Sequence, residues 1–198
     1  FMTPALKLML SNLQVHFIER LLLLDRGNTA IKRQLDDLRQ QIALGDSIPV
    51  RNPPQKIIAE ARAKDVRFQL ENLHNLITRC AKDGVLGAGE AKLWVLEIHH
   101  MLVMLHIELF TNIGTQAMQN NQPGQARLAF ERGVQYLRKQ SDPTRYQSHL
   151  QKLDAQLARA NAMVVDMGKP AGDDNNELVD GLKALDSDDD WKKKSIYD

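Results

Sequence analysis

Residues 93–110 read LWVLEIHHMLVMLHIELF, and this stretch decides the fold class of the 198-residue chain. Apolar side chains occupy nearly every side of a helix built from it, as they do in a helix that is packed by neighbours on most sides. The stretch also contains charged and histidine side chains that are costly in lipid, namely Glu97, His99, His100, His106 and Glu108. We therefore predict a central core helix over residues 89–120 and no transmembrane span.

Helical periodicity continues on both sides of this stretch, whereas the alternation typical of a half-buried strand is nearly absent. Gly and Pro residues divide the periodic segments, and Gly84 is a candidate C-cap. The predicted fold class is all-α, a bundle of five to six helices. The predicted helices cover residues 3–24, 28–44, 54–83, 89–120, 124–139 and 143–166.

The second predicted helix has a narrow apolar seam with coiled-coil-like spacing. Its residues are Ile31, Leu35, Leu38 and Ile42. The seam packs either inside the molecule or against a second copy of the chain, which makes a homodimer one possible assembly.

Composition and the positions of Gly and Pro residues define the predicted domain organisation. With 43% hydrophobic and 26% charged residues, the chain has the composition of a globular protein rather than a disordered or fibrous one. We predict a helical domain over residues 3–168, divided into an N-terminal pair (3–44) and a main bundle (54–168), and an acidic flexible tail over 169–198. Cys80 is the only cysteine, which fits a cytoplasmic location. Because Phe1 precedes Met2, the question of further upstream sequence stays open.

One segment has the spacing of large and small residues found in a helical hairpin repeat. These residues are Phe110, Ile113 and Gly114 on the first helix and Ala126, Phe130 and Gly133 on the second. The segment, residues 110–136, resembles a single tetratricopeptide repeat. It departs from that pattern at Ala117, where an aromatic residue is usual, and at Arg138, where the family has proline. The resemblance implies a scaffold for binding proteins rather than a catalyst.

Two Glu-x-x-His pairs raise the question of a metal site: Glu71 with His74, and Glu97 with His100. Such pairs bind two metal ions in ferritin-like bundles when two further helices each supply a glutamate. Here the pairs lie on consecutive helices, and Glu71 lies about 150° from the centre of its helix's apolar stripe, at 100° per residue. Glu97 aligns with Glu108 in what we interpret as the solvated strip of the central helix. We expect no metal and no cofactor.

The sequence contains no coherent catalytic set. Cys80 lies on an apolar stripe, which predicts an inert buried thiol. The Gly-rich segment 83–90 follows a helix rather than a strand and lacks the Gly-Lys-Ser/Thr ending of a phosphate loop, so we interpret it as a capping turn. We therefore expect a protein that is not an enzyme.

The net charge of +1 hides an asymmetry along the chain. Residues 172–198 contain four basic and nine acidic residues, a net charge of −5, and the remainder has a net charge of +6. Basic residues on the fifth predicted helix form a candidate partner surface, Arg127, Arg132, Arg138 and Lys139. In the tail, Trp191 and Tyr197 flank a lysine triplet and form a candidate linear motif.

These observations favour a non-enzymatic adaptor that binds a protein partner through the hairpin and the tail. We expect a bacterial protein with a cytoplasmic location. An alternative is a nucleic-acid-associated accessory protein whose acidic tail competes for its basic body. A further alternative is a metal-binding helical-bundle enzyme. Whether the tail binds within the same chain or to another molecule is left open by the sequence.

Overall fold

The computed structural model of the chain describes residues 2–50, 57 and 59–166. Within these residues the protein is all-α, with no strand, as the sequence predicts. The α-helices are α1 (Pro4–Leu24), α2 (Thr29–Ala43), α3 (Glu60–Lys82), α4 (Ala88–Gln119), α5 (Pro123–Arg138) and α6 (Gln147–Asp166). Short 3-10 helices cover Gly45–Ser47 and Pro143–Tyr146. The bounds agree closely with the predicted ones except at the starts of α3 and α6.

The chain folds as two compact units. The N-terminal unit comprises Phe1–Gln55 and Leu73–Ile98, and the C-terminal unit comprises Lys56–Asn72 and His99–Asp198. This division differs from the predicted N-terminal pair (3–44) and main bundle (54–168), because α3 and α4 each supply residues to both units. Local sequence patterns do not reveal that one continuous helix contributes residues to two compact units.

In the N-terminal unit, α1 and α2 form a hairpin with capped starts. The Thr3 hydroxyl accepts a hydrogen bond from the Leu6 N–H at 3.1 Å, and the Asn28 side chain accepts one from the Ile31 N–H at 3.1 Å. Ile18 of α1 packs against Leu35 and Leu38 of α2 in a buried cluster, with Ile31 beside them. Three of the four seam residues of α2, Ile31, Leu35 and Leu38, therefore pack within the chain, against α1.

The turn after α3 confirms the predicted C-cap. Gly84 adopts φ +69°, a conformation that residues with a Cβ rarely adopt. The N–H groups of Val85 and Leu86 both donate to the Cys80 carbonyl oxygen, at 2.9 and 3.1 Å. These bonds satisfy a carbonyl that the helix end leaves unpaired, so the Gly-rich segment works as a helix-ending turn.

In the C-terminal unit, the part of α4 from His99 onward packs with α5 and α6. Asn121, with φ 60°, ends α4 in the left-handed region, and the Gln122 N–H donates to the Ala117 carbonyl oxygen at 2.9 Å. One buried cluster joins the three helices and is built around Phe130, Leu137 and Leu153. A second joins Ile57 and Ala63 to residues of α4 and α5.

Two predicted helix starts, at residues 54 and 143, are wrong. Ile57 is not helical, and α3 begins at Glu60; residues 51–56 and 58 lie outside the described part of the chain. Residues Pro143–Tyr146 form a 3-10 turn before α6, in which the Asp142 carboxylate accepts a hydrogen bond from the Arg145 N–H. A hydrogen bond from the Thr144 hydroxyl lowers the pKa of the exposed Asp142 carboxyl group.

Candidate functional site

The hairpin formed by α4 and α5 is held together by a close approach at two glycines. A Cβ atom on Gly114 would lie 2.6 Å from Cζ of Phe130, a distance that real side chains do not adopt. A Cβ atom on Gly133 would lie 3.2 Å from Cβ of Phe110 and 3.1 Å from Cδ1 of Leu153. Small residues thus allow aromatic side chains to fill the crossing, as the spacing of this segment predicts.

The two residues that depart from the tetratricopeptide pattern are Ala117, which is buried, and Arg138, which is exposed. Ala117 is buried in the same cluster as Phe130, where the partly buried Met104 and Met118 also pack. Arg138 is the last residue of α5, so the helix ends at the position of the family's proline without one.

A contact that local sequence patterns do not reveal lies on another face of α4. The Ile57 N–H donates a hydrogen bond to Oε1 of Glu108 at 3.1 Å, and Nδ2 of Asn112 donates to the Ile57 carbonyl oxygen at 2.9 Å. Glu108 and Asn112 are four residues apart, so they are neighbours on the helix surface. Together they bind both backbone groups of one non-helical residue.

The side chain of Ile57 is buried in the same place. It is 5% exposed and belongs to a cluster with Leu105, Leu109 and Phe110 of α4 and Ala129 of α5. We call the arrangement of Glu108, Asn112 and this apolar cluster the Ile57 site. Glu108 is half-buried here, so its assignment to a solvated strip is wrong. The i, i+4 spacing of Glu108 and Asn112 is visible in the sequence, but the residue they bind lies 51 positions away from Glu108.

Two of the three histidines of α4, His100 and His106, contact residues that follow α4 in the chain. Nδ1 of His106 donates to the Leu102 carbonyl oxygen at 2.7 Å, and its ring lies 4.7 Å from that of Tyr136, measured between centroids. Nδ1 of His100 lies 3.1 Å from the Tyr146 hydroxyl, and the two rings stack. Both histidines therefore join α4 to the helices that follow.

The residues considered as metal ligands have other partners. Glu71 forms an ion pair with Arg67 at 3.2 Å, and His100 contacts Tyr146. His74 and Glu97 are half-buried and each has an interaction of its own. Among the described residues, no three His, Cys, Asp or Glu side chains come together in a way that could hold a metal ion.

Cys80 is buried, at 1% exposure, as its place on the apolar stripe predicts. Burial raises the pKa of its thiol, the carboxylate of Asp83 raises it further, and the guanidinium of Arg79 lowers it. The net effect is a raised pKa, which keeps the sulfur protonated and weakly nucleophilic near neutral pH.

The basic residues of α5 are divided between exposed and half-buried positions. Arg138 is exposed and forms an ion pair with Asp154 of α6 at 3.4 Å, and Lys139 is exposed at the end of the helix. Arg127 and Arg132 are half-buried, and the Nε of Arg127 and one Nη of Arg132 have no hydrogen-bond partner among the described residues. The predicted tail motif, Trp191 and Tyr197, lies outside the described residues.

Helix α4 is long and apolar enough to cross a bilayer when judged by length and composition alone. Half of its most apolar window is buried inside the structure, however, which is also the pattern of a core helix. Comparison with protein-family models, with curated proteins and with solved structures finds no match to this chain.

Proposed function

We propose that this chain is a non-enzymatic adaptor whose C-terminal unit binds a partner protein through the surface of α4, α5 and α6. The observation that supports it most is the Ile57 site. A helix face that pairs both backbone groups of a non-helical residue, and buries its aliphatic side chain, has the chemistry needed to bind a peptide segment. Here that chemistry is used on a residue of the same chain.

The close crossing of α4 and α5 supports the same proposal. The aromatic and small residues at Phe110, Gly114, Phe130 and Gly133 meet as they would in a tetratricopeptide-like hairpin. Such hairpins present rigid helix faces to partner segments. The exposed residues Arg138 and Lys139, at the end of α5, would then bind acidic groups of the partner, and Trp191 and Tyr197 of the tail would be a second anchor.

Affinity capture with matched variants tests the proposal. The wild-type chain, Arg138→Glu/Lys139→Glu, a chain lacking residues 187–198, and the control Lys82→Glu/Lys92→Glu are each incubated with extract from the cells that make the protein. Mass spectrometry identifies the captured proteins, and the leading partner is then purified and titrated. The control carries the same charge change on exposed residues of the N-terminal unit.

The proposal predicts a partner that the control binds like the wild type and that R138E/K139E binds at least about tenfold more weakly, the scale of losing charged interface contacts. A partner whose binding is indifferent to these residues and to the tail would contradict it. So would a measurable enzymatic turnover that is lost on changing Glu97 and His100.

A second candidate function is association with nucleic acid. The observation that favours it is the exposure of Lys139, Arg145, Lys152 and Arg159, which follow one another from the end of α5 along α6. Such side chains can neutralise phosphates. This function predicts salt-sensitive binding to a DNA or RNA duplex that strengthens when residues 172–198, with their net charge of −5, are deleted. Binding that responds to neither salt nor deletion would reject it.

A further inference from the structure

The free end of the α1–α2 hairpin carries uncovered leucines. On α1, Leu6, Met9 and Leu13 are buried, but the apolar positions nearest the turn are not. Leu21 is 51% exposed, Leu23 is 67% exposed and Leu24 is 86% exposed. We call Leu21, Leu23 and Leu24 the leucine tip. Three exposed leucines within four consecutive positions are a candidate contact surface.

The arrangement of these leucines around the helix limits what can cover them. At 3.6 residues per turn, Leu21 and Leu23 project about 160° apart, and Leu24 projects near Leu21. Leu22, between them, packs instead against the cluster that joins α1 to α2. A flat protein surface covers one side of a helix, whereas the apolar layer of a bilayer can surround an inserted tip on all its exposed sides.

The charges beside the tip indicate which kind of bilayer. Residues 20–33 contain the basic residues Arg20, Arg26, Lys32 and Arg33 and the single acidic residue Asp25, a net charge of +3. The four basic side chains are exposed, and none of them has an ion pair among the described residues. The hairpin end therefore combines apolar side chains with unpaired cations, the combination that binds anionic lipid surfaces.

A second exposed leucine pair in the same unit lacks this combination. Leu93 and Leu96 of α4 are 68% and 61% exposed. Glu90 and Glu97 lie within one helical turn of them, as does Lys92. These leucines are therefore a matched control, equally apolar and exposed but without an excess of positive charge.

We propose that the leucine tip inserts into the interface of an anionic lipid bilayer, with Arg20, Arg26, Lys32 and Arg33 placed against the lipid phosphates. The contact is peripheral: the apolar side chains enter the headgroup region and no helix crosses the membrane. It places the chain at a membrane surface and is independent of how the C-terminal unit binds its partner.

Vesicle flotation with the full chain tests this proposal. The vesicles are pure phosphatidylcholine or phosphatidylcholine with about 30% phosphatidylglycerol, which supplies the anionic surface. The variants are Leu23→Gln/Leu24→Gln for the tip, Arg20→Glu/Arg26→Glu for its charges, and Leu93→Gln/Leu96→Gln as the control. Circular dichroism of each variant checks that the helices are retained, and sedimentation velocity measures self-association without lipid.

We expect the wild type and L93Q/L96Q to float with the anionic vesicles and not with the neutral ones. L23Q/L24Q should bind at least about tenfold more weakly, because two leucines lose their apolar contact. R20E/R26E should lose a comparable amount, and about 0.5 M salt should weaken wild-type binding. The proposal is overturned if the wild type ignores anionic vesicles, if it binds both vesicle types equally, or if L93Q/L96Q loses as much as L23Q/L24Q. Self-association that L23Q/L24Q abolishes, without lipid binding, would overturn it too and assign the tip to a second copy.

Discussion

Two glycines determine how closely the helices of the C-terminal unit approach. Gly114 leaves room for the Phe130 ring, and Gly133 leaves room for Phe110 and Leu153. The glycines and phenylalanines could be identified from the sequence because small and aromatic side chains at this spacing have one obvious use, a close helix crossing. Leu153 could not be identified as a neighbour of Gly133, since that contact depends on how α6 folds back.

Gly114→Ala should destabilise the protein. The added methyl group would overlap a buried ring that is 1% exposed, so we expect a loss of about 1–3 kcal/mol in the free energy of unfolding. Urea denaturation followed by circular dichroism measures it. Gly89→Ala is the control on the same helix: nothing lies within 4 Å of its Cβ, so no loss is expected, and because the position is in the first turn any gain should stay below about 1 kcal/mol. Equal effects of the two substitutions would show that the crossing is looser than these distances imply.

The raised pKa of Cys80 has a consequence for stability against pH. Burial favours the protonated thiol, so the stabilisation that it gives the folded state is complete at pH values below the unfolded pKa and is lost as pH rises through the folded pKa. Above the unfolded pKa of about 8.5 the unfolded chain loses its proton first. The free energy of unfolding should therefore fall as pH rises from there towards the folded pKa.

Urea titrations between about pH 7 and 10 measure this effect, with the variant Cys80→Ala as the reference. The wild type should lose stability over this interval more steeply than C80A. The folded wild type should also resist alkylation by iodoacetamide at neutral pH. Parallel pH profiles, or rapid alkylation of the folded protein, would be inconsistent with a buried, protonated thiol.

At the scale of elements, the presence and length of each helix could be predicted from the apolar periodicity and from the positions of Gly, Pro and capping residues. The ends of α1, α2, α4 and α5 lie close to the predicted positions because caps and turn residues act locally. The start of α3 could not be predicted in this way. Ile57 lies inside the predicted helix of residues 54–83, but its backbone groups are bound by Glu108 and Asn112 of α4, and no local rule anticipates that competition.

Asn112→Ala should weaken the attachment of Ile57 to α4. The Ile57 carbonyl oxygen loses its donor, and we expect a loss of about 0.5–1.5 kcal/mol in the free energy of unfolding, the usual net value of one hydrogen bond. Hydrogen exchange of the Ile57 amide should also accelerate, because its partner Glu108 is held less firmly against it. Gln116→Ala, an exposed position one turn further along α4, is the control and should change neither quantity. An unchanged exchange rate in N112A would count against the Ile57 site.

The same scale explains why Ile31, Leu35 and Leu38 of α2 pack against α1. The 4-3-4 spacing of Ile31, Leu35, Leu38 and Ile42 fits a partner helix but does not identify it. Because α1 has apolar residues on two sides, it supplies Ile18 to this seam and still places Leu6, Met9 and Leu13 on another buried side. The surplus apolar surface of α1 is what leaves the leucine tip uncovered.

At the scale of the whole molecule, the sequence predicts the fold class but not how the helices group. The predicted boundary between residues 44 and 54 follows a proline-rich linker, whereas residues 73–98 belong to the same compact unit as α1 and α2. Long helices such as α4 connect units without any break in their pattern. The candidate site was predictable in part: the hairpin residues could be found, and the Ile57 site could not, because it pairs distant parts of the chain.

The central claim is that the C-terminal unit is a partner-binding scaffold, and hydrogen–deuterium exchange of the full chain tests it most directly. Exchange is measured by mass spectrometry with and without a saturating amount of the partner identified by capture. We predict slower exchange within α4, α5 and α6, between residues 99 and 166, and unchanged exchange in α1 and α2. Unchanged exchange throughout residues 99–166, with protection confined to α1 and α2, would contradict the claim.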